Sequence, residues 1–248
     1  MNYNRYSRLF IDQDFLGHDT ILSSEHAHYL TNVMRKKVKD HVLIFNGREG
    51  EFLAQIIAHV KNTIELKIIS KTREQIIEPK LTLIFSVIKH SRLDYVIEKG
   101  TELGVTQFIP VITCHSVCDK LNISKAQAWI ISACEQSGRL FVPIIQEPIN
   151  LRELISGWDG NKPILFANEA ENITSLNKLA LNVDLHKDHS LLIGPEGGFS
   201  NEEKALLCSL PFVQSFHLGP FILRAETAAV CAISCVKLLL NHLAGRSL

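Results

Sequence analysis

Two short stretches concentrate residue types able to hold or transform a ligand. The first is Ile193-Gly194-Pro195-Glu196-Gly197-Gly198, with three glycines and a proline in five residues. Glycine lets main-chain N–H and C=O groups approach a flat ligand edge closely. An ordinary strand-to-helix turn is the plain alternative. The second is Leu218-Gly219-Pro220-Phe221-Ile222-Leu223-Arg224-Ala225-Glu226-Thr227-Ala228, a Gly-Pro turn and an apolar lip leading into the last helix. Arg224 presents a fixed fork of donors for an anion. Glu226 has a bland use opposite the helix dipole, and Thr227 could merely cap. No Gly-Lys-Ser/Thr or G-x-G-x-x-G follows a strand, so nucleoside triphosphates and nicotinamides are poor candidates. A hydrolase lacks its G-x-S-x-G elbow.

Metal chemistry is not expected. The six cysteines, at 114, 118, 134, 208, 231 and 235, form no C-x-x-C pair, and only His115 stands near one. They read as small, reduced side chains. Lys plus Arg and Asp plus Glu are 26 each, so the chain is not a tail-driven nucleic-acid binder. The balance is +1 over residues 1–79, +2 over 80–139 and −3 over 140–248. A local basic face would therefore lie in the first 139 residues. Arg8, Arg35, Lys36, Lys37, Arg92 and Arg139 are its candidates, although Lys36-Lys37 also fits a solvated turn and Arg139 a helix end. The start of the chain lacks a signal-peptide core, and the run Ala228–Leu240 is interrupted by Lys237 and too short for a bilayer. A soluble, cytoplasmic protein is expected.

The elements that must position these residues fall into two regions. Residues 1–75 read as β-rich. His41–Phe45 is a strand candidate, Asn46-Gly47 a tight turn, and 51–58 and 62–69 continue the pattern. A helical stretch between Ser24 and Arg35 would place Leu30 and Val33 on one side. The polar stretch 71–75, ending near Pro79, marks a boundary. From residue 76 to 248, strands alternate with helices: strands at 81–88, 106–113, 163–167, 190–194 and 213–218, helices at 90–103, 124–137 and 225–243. Gly104 fits a C-terminal cap, and Ser124-x-x-Gln127 and Ser200-x-x-Glu203 fit capping boxes. This order predicts an α/β domain with a mainly parallel sheet, and such sheets bind ligands beyond their strands' carboxyl ends.

The two opening stretches, with Lys99-Gly-Thr-Glu-Leu-Gly-Val105 and Glu135-Gln-Ser-Gly-Arg139, resemble the signatures of the 16S rRNA (uracil-N3) methyltransferase family of the SPOUT superfamily. Arg8-Leu-Phe10, His28-x4-Val-Met-Arg35 and Phe45-Asn-Gly47 resemble that family's PUA-like RNA-binding domain. The resemblance covers essentially the whole chain, in order. It implies a small N-terminal β-barrel PUA-like domain (1–75) and a C-terminal SPOUT methyltransferase domain (76–248) with a deep trefoil knot. It also implies a homodimer that acts on 16S rRNA during ribosome biogenesis, in the assembled small subunit. Its cofactor is S-adenosyl-L-methionine, wrapped here by Phe166, Ala167, Gly194, Pro195, Glu196, Gly197, Gly198, Leu218, Gly219, Ile222, Leu223, Thr227 and Ala228.

In this reading Arg224 stabilises the anion of the deprotonated uracil, and Glu226 orients Arg224 or assists proton removal. The family commonly has Arg where Phe221 and His115 stand, Thr at Ala225 and Gly at Lys39. Alternatives are a SPOUT enzyme acting on a ribose 2′-OH or another base, and a non-catalytic RNA-binding homologue.

Overall fold

The computed structural model describes residues 6–24, 26–88, 90–168, 174–175 and 188–243. They form two compact units, Met1–Ile77 with Ile131–Val142, and Glu78–Ile130 with Pro143–Leu248. The division after residue 77 lies two residues from the boundary expected at 75. Residues 131–142 group with the first unit, which no composition shift announces.

The first unit is built on strands β1 (Arg8–Phe10), β2 (Thr20–Ser23), β3 (His41–Phe45), β4 (Glu51–Val60) and β5 (Thr63–Arg73). They form one sheet in the order β1-β3-β4-β5-β2, antiparallel except for the parallel pair β1–β3. The β3–β4 connection turns at Gly47, with φ of 80°, while Asn46 Oδ1 accepts the N–H groups of Arg48 and Glu49. Leu9, Phe15, Leu30, Val42, Ile44 and Phe52 fill the core beneath. The helical stretch expected between Ser24 and Arg35 is present over 27–33, and its last five residues, Tyr29–Val33, form a π-helical turn. In its i→i+5 geometry Leu30 and Val33 no longer share a face: Leu30 is buried and Val33 is 59% exposed.

One carboxylate organises this unit. Glu51 is 1% exposed and accepts bonds from Arg8 Nε (2.9 Å), Arg73 Nη2 (2.9 Å) and Thr72 Oγ1 (2.8 Å). Arg73 Nη2 also donates to Gly138 O at 2.7 Å. Burial pushes the Glu51 carboxyl up, but the bonds from Arg73, Thr72 and Arg8 outweigh it and hold the group below its ordinary value. Glu135 differs: its burial raises the carboxyl, with only a partial offset from the Phe10 N–H that donates to it at 2.9 Å.

The second unit holds β6 (Leu81–Ser86), β7 (Gln107–Ile112), β8 (Ile144–Ile145), β9 (Ile149–Asn150), β10 (Ile164–Ala167), β11 (Thr174–Ser175), β12 (His189–Ile193) and β13 (Val213–His217). The sheet runs β11-β13-β10-β12-β6-β7-β8, with β9 also on β7, and its pairings are parallel. Every residue of β6 and β12 is buried, as expected of strands covered on both faces. Its helices are α1 (His90–Glu102), α3 (Leu151–Ser156), α4 (Asn201–Ser209) and α5 (Ala225–Leu243), while α2 (Ile123–Ser137) is divided between the units after Ile130.

Helix ends follow local chemistry. Gly104, with φ of 93°, closes α1; the N–H of Val105 donates to Gly100 O at 2.9 Å and that of Gly104 to Thr101 O at 3.1 Å, a Schellman arrangement. Gly100 is required for packing, since a Cβ there would lie 2.8 Å from Phe108 Cε1 on β7. Ser124 does not cap α2. Asn122 does, its Oδ1 accepting the Lys125 N–H at 2.9 Å, so the helix starts one residue earlier than expected. Ser200 and Glu203 form the full capping box of α4.

Candidate functional site

The order β13-β10-β12 sets three parallel strands side by side, so the loops leaving their carboxyl ends share one edge. These are the 166–168, 194–199 and 218–223 segments. They enclose a cavity of about 130 Å³, floored by Ala225 and Ala228 of α5 and flanked by Lys204 of α4. Phe166 and Phe199 pack edge to face beside it, ring centroids 5.1 Å apart. Gly194 is held against that pair: a Cβ would stand 2.7 Å from Phe199 Cε2. The N–H of Gly198 donates to Pro195 O at 2.9 Å and closes the glycine turn, with Gly198 at φ 66°. Gly219 adopts φ 128° where its N–H donates to His217 Nδ1 at 3.2 Å.

The structure brings Phe166, Ala167, Gly194, Pro195, Glu196, Gly198, Leu218, Gly219, Ile222, Leu223 and Ala228 to this one cavity. Two expected contacts fall outside its wall. Gly197 is exposed and faces His115, and Thr227 points to solvent on the first turn of α5. Ile193, Pro220, Phe221 and Ala225 of the same two stretches line it too, while Asn168, Phe199 and Lys204 are lining residues that sequence reasoning missed. Their common signal is adjacency to the two glycine turns and to the end of β10.

Arg224 is exposed just beyond the lip, and its carbonyl accepts the Ala228 N–H at 2.8 Å, making it the residue from which α5 starts. The Glu226 carboxylate is engaged by a different arginine. It meets Arg92 of α1 at 3.1 Å, with side-chain exposures of 16% and 34%. The Arg92 guanidinium is thus engaged within the fold while still partly exposed. Arg8 is 15% exposed and bonded to Glu51. Arg35 and Lys37 are exposed and Lys36 half-buried, on a loop where Arg35 takes φ 52°. Arg139 lies over the Phe141 ring, 5.4 Å from its centroid. Lys39, in the position where glycine was expected, adopts φ 81°.

Behind the glycine turn runs the segment after β7. Ser116 Oγ accepts the Thr113 N–H at 2.8 Å and lies 2.8 Å from Ser86 Oγ at the end of β6. Among the described residues, no group of three or more His, Cys, Asp or Glu could hold a metal ion, and no helix is long and apolar enough to cross a membrane.

Comparison with known proteins places both units. The RNA methyltransferase domain family matches residues 77–237, and the RNA methyltransferase PUA domain family matches 22–69. The ribosomal RNA small subunit methyltransferase E of Rickettsia conorii is 37% identical, covering 96% of this chain and 98% of that protein. Its namesake from Bacillus subtilis is 30% identical over 87% of this chain and 88% of its own. Among solved structures, the Neisseria gonorrhoeae ribosomal RNA small subunit methyltransferase E bound to S-adenosyl methionine superposes with a TM-score of 0.85 at 26% identity, covering 94% of this chain and 98% of that one. A putative methyltransferase from Legionella pneumophila, in complex with the bound cofactor SAM, gives 0.83 at 27% identity, with 96% and 98% covered. By sequence along nearly its whole length, and by fold, this chain belongs to the ribosomal RNA small subunit methyltransferase E family.

Proposed function

We propose that this chain methylates N3 of a specific uridine in 16S rRNA of the small ribosomal subunit, using S-adenosyl-L-methionine. The observation that carries the reading is the convergence of three strand-end loops, two of them rich in glycine and proline, on one cavity. The lining suits such a donor. Main-chain groups of 194–198 and 218–223 can read an adenine edge, apolar walls can hold its faces, and Glu196, Asn168 and Lys204 offer polar contacts for a charged amino-acid tail. At Gly219 a Cβ would meet nothing within 4 Å, so the backbone there borders open space. When bound, S-adenosylmethionine supplies an electrophilic methyl group.

The chain's own residues then have three tasks. The loops fix the direction of attack, which supplies much of the rate. Uracil N3 lies on the Watson–Crick edge and carries a proton, so the base must be unpaired before it reaches the cavity mouth. As that proton passes to water at the cavity mouth, charge spreads over the flanking carbonyl oxygens, and Arg224 at the lip stabilises it until N3 takes the methyl group, leaving the donor as its neutral thioether. Glu226, tied to Arg92, pins the first turn of α5 to α1 and thereby fixes where Arg224 leaves the helix.

Residues 1–75 serve as the PUA-like RNA-binding domain and 76–248 as the methyltransferase domain. RNA contact comes chiefly from Arg35, Lys36, Lys37 and Arg139, and binding through these phosphate contacts weakens steeply with salt. The order β13-β10-β12-β6, in which later strands lie between earlier ones, supports a deep trefoil knot in the second unit. The enzyme works as a homodimer in the cytoplasm, in ribosome biogenesis, on the assembled small subunit. Small subunits from cells lacking this protein, incubated with it and the methyl donor, should gain one N3-methyluridine in digested 16S rRNA. Methylation of a ribose, or of no nucleotide, contradicts the reading.

A further inference from the structure

We infer that His115 and Glu203 are positioning residues that hold the glycine loop from behind, in the shape that receives the methyl donor. The inference rests on the donor reading of the cavity given above. Neither residue lines that cavity, and neither belongs to the loops that enclose it.

Glu203 is 5% exposed, and its two oxygens serve different segments. Oε2 accepts the Ser200 N–H at 2.9 Å, which is all that a capping box needs. Oε1 accepts the N–H of Cys114 at 2.8 Å, on the segment after β7, 89 residues away in the chain. The carboxylate therefore clamps the exit of the glycine loop to the end of a neighbouring strand. Bonds to an ionised acceptor are about twice as strong as neutral ones, which suits a clamp.

The next residue repeats the connection. His115 Nδ1 lies 3.2 Å from Gly197 O and 3.1 Å from Gly198 O. Both partners are carbonyl oxygens, so Nδ1 carries the proton and donates. Gly197 allows the approach: a Cβ there would be 3.2 Å from His115 Cβ. The 113–116 turn is itself anchored, through Ser116 Oγ, to Thr113 and to Ser86 on β6. A rigid strand end, a braced turn and two attachments thus restrain a loop whose glycines would otherwise leave it pliable. Ordering the loop beforehand lowers the entropy lost on binding, so the effect falls on donor affinity rather than on the chemical step.

The test combines donor titration by calorimetry, methyl-transfer kinetics and amide hydrogen exchange on the full chain. His115→Ala should weaken S-adenosylmethionine binding about tenfold, with kcat at saturating donor near the parent value and little change in Tm. His115→Asn, whose amide nitrogen stands near the place of Nδ1, should restore binding, whereas His115→Gln should not. Glu203→Gln keeps one acceptor oxygen and turns an NH2 toward the other N–H, and should also weaken binding about tenfold in a protein that remains folded by circular dichroism. Exchange at Cys114, Gly198 and Ser200 should quicken in the Ala and Gln variants without any donor present. Donor affinity within twofold of the parent in both His115→Ala and Glu203→Gln overturns the inference, as does an Asn variant no better than Ala. If the parent binds no donor, the functional reading fails, and unchanged exchange in the variants then overturns the brace on its own.

Discussion

Glu226, on the first turn of α5 and two residues beyond Arg224, meets Arg92 of α1 at 3.1 Å. The pair is partly exposed, so its worth to stability is small, below about 1 kcal/mol. Its value lies in direction, because α5 begins at Arg224. Glu226→Gln should therefore leave Tm nearly unchanged and lower kcat about tenfold, with donor affinity preserved. Arg224→Ala should lower kcat about a hundredfold or more, again with little effect on donor binding. The double variant should lose little beyond Arg224→Ala alone, since Glu226 acts through Arg224. Steady-state kinetics on all three proteins decide this, and fully additive losses speak against it.

Gly194 is the tightest point of the cavity wall. Gly194→Ala places a methyl group 2.7 Å from the Phe199 ring and must displace either the ring or the loop. Donor affinity should fall at least about tenfold, with a smaller loss of stability, about 1–3 kcal/mol. Calorimetry and thermal melting on the same sample separate the two effects.

Gly100→Ala strikes packing alone. The new methyl group would meet Phe108 at 2.8 Å where α1 lies on β7, far along the chain from the cavity loops. A loss of about 1–3 kcal/mol is expected, lowering Tm by several degrees at about 2–4 °C per kcal/mol. Donor affinity measured well below the melting range should be unchanged.

Lys39 invites the opposite change. Its φ of 81° lies in the left-handed region, and its N–H donates to Ile56 O at 2.7 Å, so the turn is fixed. Lys39→Gly removes a strain of about 1 kcal/mol, partly offset by the freer unfolded chain. Tm should rise slightly, and a clear fall contradicts the account.

Buried Glu51 and half-buried Glu135 give the stability of the first unit pH dependences of opposite sign. Glu51 is held below the ordinary glutamate value of 4.5. Its contribution is complete above that pH and is lost as pH falls through the depressed folded value. Glu135 is raised by burial, so its ionised form costs stability at neutral pH. Glu135→Gln keeps an acceptor for the Phe10 N–H and should melt higher than the parent near pH 7. That advantage should fade as pH drops toward 4.5 and the parent carboxyl protonates. Glu51→Gln should lower Tm at neutral pH. Melting curves across pH check both signs.

Much of the site was legible because it is written in local chemistry. Glycine and proline mark both loops, and Ser200-x-x-Glu203 forms the box its spacing requires. Partners set by topology were not legible. Asn168, Phe199 and Lys204 reach the cavity only because β10 lies between β12 and β13. Arg92 finds Glu226 across 134 positions of chain, and Glu203 finds Cys114 across 89. Where two local signals compete, spacing does not choose: Asn122 caps α2 in place of Ser124. The periodicity of 24–35 misled because the π-helical turn rotates Val33 off the face that Leu30 occupies.

The central claim is that the 194–199 and 218–223 loops form a methyl-donor site. Its most direct measurement is a calorimetric titration of the purified chain with S-adenosylmethionine, repeated on Gly194→Ala. The account predicts saturable binding by the parent and at least about tenfold weaker binding by the variant. No binding by the parent, or equal binding by the two proteins, would contradict it.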